Sequence, residues 1–400
     1  MTSKSQRRYD LDWLRIIAFG ILIFYHIGMF YVSWGWHVKS VHAGPAIEPL
    51  MKLVNPWRMS LLFLISGIAL RYAMDKTPWR SFVWTRFWRL FLPLVFAMFT
   101  VIVPQAWLEL CGTGEFSGSF WAFYPVYLQG SFGEFSITLP TWNHLWYILY
   151  LLVYTLLLAA LYPAIKWVTA TTVTNRAGGL KSTLGWSAFV GVPVLLFGLN
   201  EHWFGEMFPS THAFVGDWGN HLLYFPLLLF AFMFAKSATF WRLVSRSFIP
   251  VSVLTALFIG WKIFVWTLPD TELETVPYIE LWISLHLFIE AAYPWVCILF
   301  VLGAGQRWLN RPSPALSYMT EAIFPWYILH QTLIVVAGVW LTGLALPVGV
   351  EFGLLSLATI GGCLVLHEFL IKRIAILRPL FGLKSAGNMG QTQSEPQAVT

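Results

Sequence analysis

The sequence predicts an all-α, multi-pass membrane protein, and three observations carry that prediction. Of its 400 residues, 58% are hydrophobic and only 11% are charged, whereas a soluble domain carries about 25% charged residues. Long apolar stretches recur along the chain, each near the roughly 20 residues that a helix needs to cross the hydrocarbon. The alternating ten-residue strands of a membrane barrel are absent. The 23 Trp and 33 Phe suit lipid-facing and interfacial surfaces. This composition excludes a disordered chain, a secreted disulfide scaffold and an ordinary cytosolic enzyme. Cys111, Cys297 and Cys363 form no C-x-x-C pair, so neither a disulfide framework nor a metal site is expected.

Helices are expected over 11–32, 57–74, 90–109, 143–164, 184–200, 219–236, 249–268, 281–303, 318–339 and 349–371, about ten spans in one bundle. The first follows a polar, basic N-terminus with no small-residue cleavage site, so it reads as a retained helix. With the N-terminus placed in the cytoplasm, all basic residues but Lys39, Lys52, Arg58 and the intramembrane Lys262 fall on the inner side. The opposite orientation would invert that bias, so both termini are expected inside. The net charge of +6 serves orientation, and nucleic acid is not an expected partner. Residues 1–380 read as a single transmembrane domain, and 381–400 as a short polar cytoplasmic tail, disordered by composition.

The polar residues inside these spans are the functional candidates, because ionisable groups are costly in lipid. In the first span Arg15 and His26 are eleven residues apart, about three full turns, so they share a face roughly 16 Å apart along the axis. Asp12 stands i,i+3 from Arg15. The second span carries Ser66-Gly67, which also suits close helix packing. Before the third span, Arg86 and Arg89 share a helical face among Trp79, Trp84, Phe87 and Trp88. Their forked donors match phosphate geometry, and a positive-inside anchor is the plainer reading. His144 opens the fourth span. In the eighth, His286 and Glu290 are i,i+4 and could pair. His330 lies near the middle of the ninth, and His367 and Glu368 near the inner end of the last. Trp36 and His37 sit in the first outer loop, where an aromatic belt is the simplest account. No P-loop, G-x-G-x-x-G, H-E-x-x-H or G-x-S-x-G motif occurs.

Five elements in order resemble the membrane acyltransferase-3 family. They are Arg8-Tyr9-Asp10-Leu11-Asp12-Trp13-Leu14-Arg15 with the spacing to His26, then Phe63-Leu64-Ile65-Ser66-Gly67. Arg86-Phe87-Trp88-Arg89-Leu90 with Pro93 and Tyr327-Ile328-Leu329-His330 complete the set. Trp13 stands where that family usually has Gly, and Ile68 where an aromatic is common. A narrower resemblance, through Tyr31-Val32-Ser33, Trp36 to Ser40, Arg58-Met59 and His144-Leu145-Trp146, is to the glucans biosynthesis protein C branch, which implies succinyl transfer to periplasmic glucans.

The resemblance implies an integral membrane O-acyltransferase of the bacterial inner membrane. It would move an acyl group from cytoplasmic acyl-CoA to a hydroxyl of an extracytoplasmic glycan, with no tightly bound cofactor. His26 would be the general base, its imidazole suited to that role near neutral pH. Arg15, steadied by Asp12, would guide the pantetheine end. Arg86 and Arg89 would bind the nucleotide phosphates, and Ser66 would donate to the oxyanion. Arg58 is a candidate for a carboxylate on the acyl group or acceptor. Trp36, His37, His144, Tyr327 and Glu290 are candidates for acceptor or acyl recognition. His330, His144 and Glu290 remain open as the group that orients His26. The competing reading is a proton-coupled secondary transporter for an anionic solute.

Overall fold

A computed structural model describes residues 8–131, 133–172, 183–268 and 278–384, and the side chains of all of these except 167–172 and 183–188. The helices in chain order are α1 (Tyr9–Met29), α2 (Glu48–Met74), α3 (Trp79–Phe99), α4 (Val103–Thr113), α5 (Phe120–Gln129), α6 (Trp146–Thr172), α7 (Thr183–Leu199) and α8 (Gly205–Met207). They continue as α9 (Trp218–Phe234), α10 (Ala238–Arg246), α11 (Phe248–Thr267), α12 (Ile279–Ala304), α13 (Pro314–Thr342), α14 (Val348–Val365) and α15 (Leu377–Leu380). Extended pairing among the described residues is limited to the bridge between Ser131 and Leu139. The chain is an all-α, multi-pass membrane protein.

Eight described helical stretches are long and apolar enough to cross a membrane, nine if the bent pair α9 and α10 is one span. The expected crossing at 184–200 falls on α7, which has 17 residues and runs through a π-helical turn, Asn200–Phe204, into α8. The expected crossing at 90–109 lies within Trp79–Thr113, one of these stretches, which is built of two helices because Pro104 occupies the first turn of α4 and opens a new helix after α3. The pair α9 and α10 bends by 105°. There Ser237 caps α10, its hydroxyl accepting from the Phe240 amide at 3.2 Å.

Two compact units make up the chain. The first comprises the chain up to Ala18, Pro49–Val83 and Val153–Ser313. In it α2 approaches α9 at Gly67, where a Cβ would lie 2.2 Å from the Leu228 carbonyl oxygen. Backbone cannot yield as a flexible side chain does, so Gly67→Ala is expected to destabilise the protein by ~1–3 kcal/mol through overpacking. The thermal midpoint in detergent checks this. Below α2, Asp75 accepts from Tyr162 at 2.9 Å and from Arg71 at 3.1 Å, and pairs with Lys236. Burial opposes ionisation of Asp75, but the bonds from Lys236 and Tyr162 and the charge of Arg71 win and hold its carboxyl below the usual carboxylate range.

The second unit comprises Phe19–Glu48, Trp84–Leu152 and the chain from Pro314. Its main core joins the later half of α1 to α13 and α14 through Ile23, Ile27, Phe30, Ile334, Leu341 and Leu355. A Cβ on Gly338 would lie 2.9 Å from the Phe30 ring, so glycine there admits the ring against α13. A second core joins α4 and α5 through Val103, Ala106, Leu110, Phe123 and Tyr127. Lys39 donates to the Met29 carbonyl at 2.7 Å and so closes the C-terminus of α1. Burial pushes the Lys39 ammonium below its ordinary value, against the opposing pull of Glu48. Phe381 and Leu383 are buried, with Phe381 edge-on to Phe96. Of the tail expected over 381–400, these two residues are thus packed against the unit, and 385–400 lie outside the described residues.

Candidate active site

The second unit gathers three histidines from three distant parts of the chain. His26 comes from the last turns of α1, His330 from the middle of α13, and His144 from the 3-10 turn Asn143–Leu145 that leads into α6. His26 Nδ1 lies 2.7 Å from His330 Nε2, and the two rings are parallel within 7°. His330 Nδ1 lies 2.7 Å from the Tyr327 carbonyl oxygen. His144 Nε2 lies 3.1 and 3.2 Å from the carbonyl oxygens of Tyr327 and Ile328. The Tyr327 hydroxyl returns a bond to the His144 carbonyl. Phe19 and Tyr147 both pack against the Tyr327 ring and against one another.

This arrangement fixes the tautomers. A carbonyl only accepts, so His330 Nδ1 must carry the proton. In neutral His330 the lone pair then sits on Nε2 and accepts from His26 Nδ1–H, which leaves the lone pair of His26 on Nε2. The chain of bonds therefore orients one ring by means of the other and ends on a backbone atom that cannot titrate. His330 is fully buried, while His26 is only half-buried. His26 is thus the member of the pair that can meet a substrate. His144 similarly spends Nε2 on two carbonyls, and its buried Nδ1 has no partner. No group of three or more His, Cys, Asp or Glu among the described residues is disposed to hold a metal ion.

His37 and Trp36 lie in the loop after α1. His37 Nδ1 meets Glu109 Oε2 at 2.5 Å, and its Nε2 meets Gln331 Nε2 at 2.8 Å. Trp36 packs against the apolar core of the unit and beside His37, so it does more than face an interface. Sequence reasoning missed Gln105, Glu109, Asn143 and Gln331. The signal for the first pair was present: Gln105 and Glu109 are i,i+4 in an otherwise apolar run, hence on one face of α4.

The remaining candidates are placed as follows. Arg15 sits on the same helix as His26, eleven residues earlier, with its guanidinium 3.5 Å from the Asp12 carboxylate and its buried Nε without a partner. Arg86 and Arg89 belong to the second unit, on α3, with Arg86 half-buried and Arg89 exposed. Trp84 and Trp88 flank them, exposed and edge-on to one another. Ser66, Arg58 and Glu290 belong to the first unit. Arg58 donates to Asn55 at 2.9 Å and stands near His212, whose imidazole is held below its ordinary value by burial first and by Arg58 in addition, against the pull of Asp217. Glu290 does not take His286 as its partner. It binds Lys262 of α11 at 2.5 and 2.6 Å, and His286 accepts from Trp261 instead. A full charge across the helix pair wins over a neighbouring imidazole, since a buried ammonium demands an anion.

The family profile described as an acyltransferase domain, that of the acyltransferase-3 family, matches residues 8–368. The chain belongs to the acyltransferase-3 family. The match takes in Arg15, His26, Ser66, Arg86, Arg89 and His330. Among curated relatives, glucans biosynthesis protein C of Escherichia coli strain K12 is 26% identical over 167 residues, 40% of each chain. The protein of the same name from Escherichia coli O1:K1 / APEC shows the same identity and coverage. The matched segment thus spans 40% of the length of these relatives. No solved structure matches.

Proposed function

We propose that this acyltransferase-3 protein is an O-acyltransferase that moves an acyl group from cytoplasmic acyl-CoA to a hydroxyl of an extracytoplasmic glycan. The observation that carries the reading is the bond from His26 Nδ1 to His330 Nε2, anchored on the Tyr327 carbonyl. It presents a basic nitrogen on a half-buried ring at the position of the family motif.

In this reaction His26 Nε2 takes the proton of the acceptor hydroxyl while that oxygen attacks the thioester carbonyl. The tetrahedral oxyanion collapses, the carbon–sulfur bond breaks, and the CoA sulfur leaves with the proton from His26. His330 is a positioning residue: its lone pair receives His26 Nδ1–H before and after proton uptake and so stabilises the imidazolium. His144 fixes the turn of α13 that holds His330, working with Tyr327. Both termini face the cytoplasm of a bacterial inner membrane, which sets Arg86 and Arg89 on the side where the donor's phosphates arrive. The names of the curated relatives support a glucan acceptor, and Arg58 supports a dicarboxylic acyl group such as succinyl.

Arg86→Ala with Arg89→Ala is expected to raise the acyl-CoA KM about tenfold or more, because charge-assisted bonds to phosphate are among the stronger ones. The acceptor KM should stay within twofold. Unchanged acyl-CoA affinity would remove the phosphate role. Transfer of labelled acyl groups to glycan by the purified protein tests the reading as a whole: covalent label on the glycan is expected, and redistribution of solute without covalent label would overturn it.

A further inference from the structure

The polar network beside the histidine pair contains two acceptors that no described residue satisfies. Glu109 Oε2 accepts from His37 Nδ1–H, so neutral His37 keeps its lone pair on Nε2 and accepts from the Gln331 amide. The second N–H of that amide goes to Gln105 Oε1 at 3.0 Å, which also accepts from Asn143 at 3.1 Å. Gln105 Nε2 donates to Thr332, whose hydroxyl donates to the Val101 carbonyl, both at 2.6 Å. Donors and acceptors match at every step. Glu109 Oε1 and Gln331 Oε1 receive no hydrogen bond among the described residues. Both residues border His37, and Gln331 follows His330 directly in α13. The carboxylate of Glu109 is 18% exposed and His37 is 15% exposed, so the outer end of the network is open while Gln105 is fully buried.

From this arrangement we infer that Glu109, held by His37 and flanked by Gln331, binds hydroxyl groups of the acceptor and selects an uncharged sugar over an anionic one. The inference rests on the acyl-transfer reading above. Two unspent acceptors call for a ligand that brings donors, and sugar hydroxyls are donors with directional reach. The Trp36 ring, 5.4 Å from His37, adds an apolar face of the kind that a sugar ring packs against. The network holds a carboxylate and no Lys or Arg, so an acidic acceptor would meet repulsion there. Gln105, Asn143 and Thr332 hold the two acceptors in place from α4, the turn before α6, and α13.

Glu109→Gln tests the assignment, because the amide still offers an oxygen to His37 Nδ1–H and replaces the charge with a donor. The acceptor KM for a neutral glycan is expected to rise about tenfold. kcat and the acyl-CoA KM should stay within twofold, and the thermal midpoint should be kept. The wild-type protein should also acylate a neutral glycan in preference to its carboxylated analogue, and E109Q should narrow that preference. An unchanged acceptor KM in E109Q, or a wild-type protein with no preference between neutral and carboxylated glycan, overturns the inference. If the wild-type protein acylates no glycan at all, the reading of the function fails instead.

Discussion

His26→Ala is expected to lower kcat for acyl transfer by ~10²–10⁴-fold, the usual worth of a positioned general base. The acceptor hydroxyl would then have to lose its proton to water as it attacks. His26 is half-buried, and Ile23 and Ile27 of α1, with Phe30 just past its end, supply the apolar contacts that seat the helix end. The variant should therefore fold and still bind acyl-CoA, which a thermal shift with CoA can show. Steady-state rates near those of the wild type would remove His26 from the chemistry.

His330→Ala is expected to lower kcat by ~10²-fold or more with the acceptor KM nearly unchanged, because an unheld imidazole loses both tautomer and orientation. His330→Gln separates this role from a packing one. A glutamine oxygen can stand near the place of His330 Nε2 and accept His26 Nδ1–H, so this variant should recover a large part of the loss. A purely structural His330 would show no such rescue, and its loss would appear in the thermal midpoint rather than in kcat.

The histidine pair was legible in the sequence one member at a time. Cost in lipid singled out His26 and His330, and the motif likeness gave them an order along the chain. Their contact joins residues 304 positions apart, and no local pattern could have chosen His330 over His144 or Glu290 as the partner. The structure makes the choice through a backbone carbonyl, an atom that every residue carries and that composition therefore hides. Glu290 shows the converse. Its i,i+4 neighbour was the local candidate, but Lys262 on the facing helix offered a full charge.

Helix number was legible from apolar length, while breaks were less so. Pro104 opened α4 inside what reads as one span, whereas the end expected at 236 falls within two residues of the end of α9 at Phe234. Gly67 was read both as part of a motif and as a packing residue, and the approach of the Leu228 carbonyl gives the packing role its cause. Glu109 escaped notice because it closes an apolar run. There a single acid resembles the end of a span until its i,i+4 companion Gln105 is counted with it.

Mass spectrometry of extracytoplasmic glycans shows whether His26 carries acyl transfer to them, with cells carrying the wild-type protein compared with cells carrying His26→Ala at equal membrane abundance. A glycan population heavier by a constant acyl mass is expected in the first and its absence in the second. Glycans of identical mass in both would contradict that role.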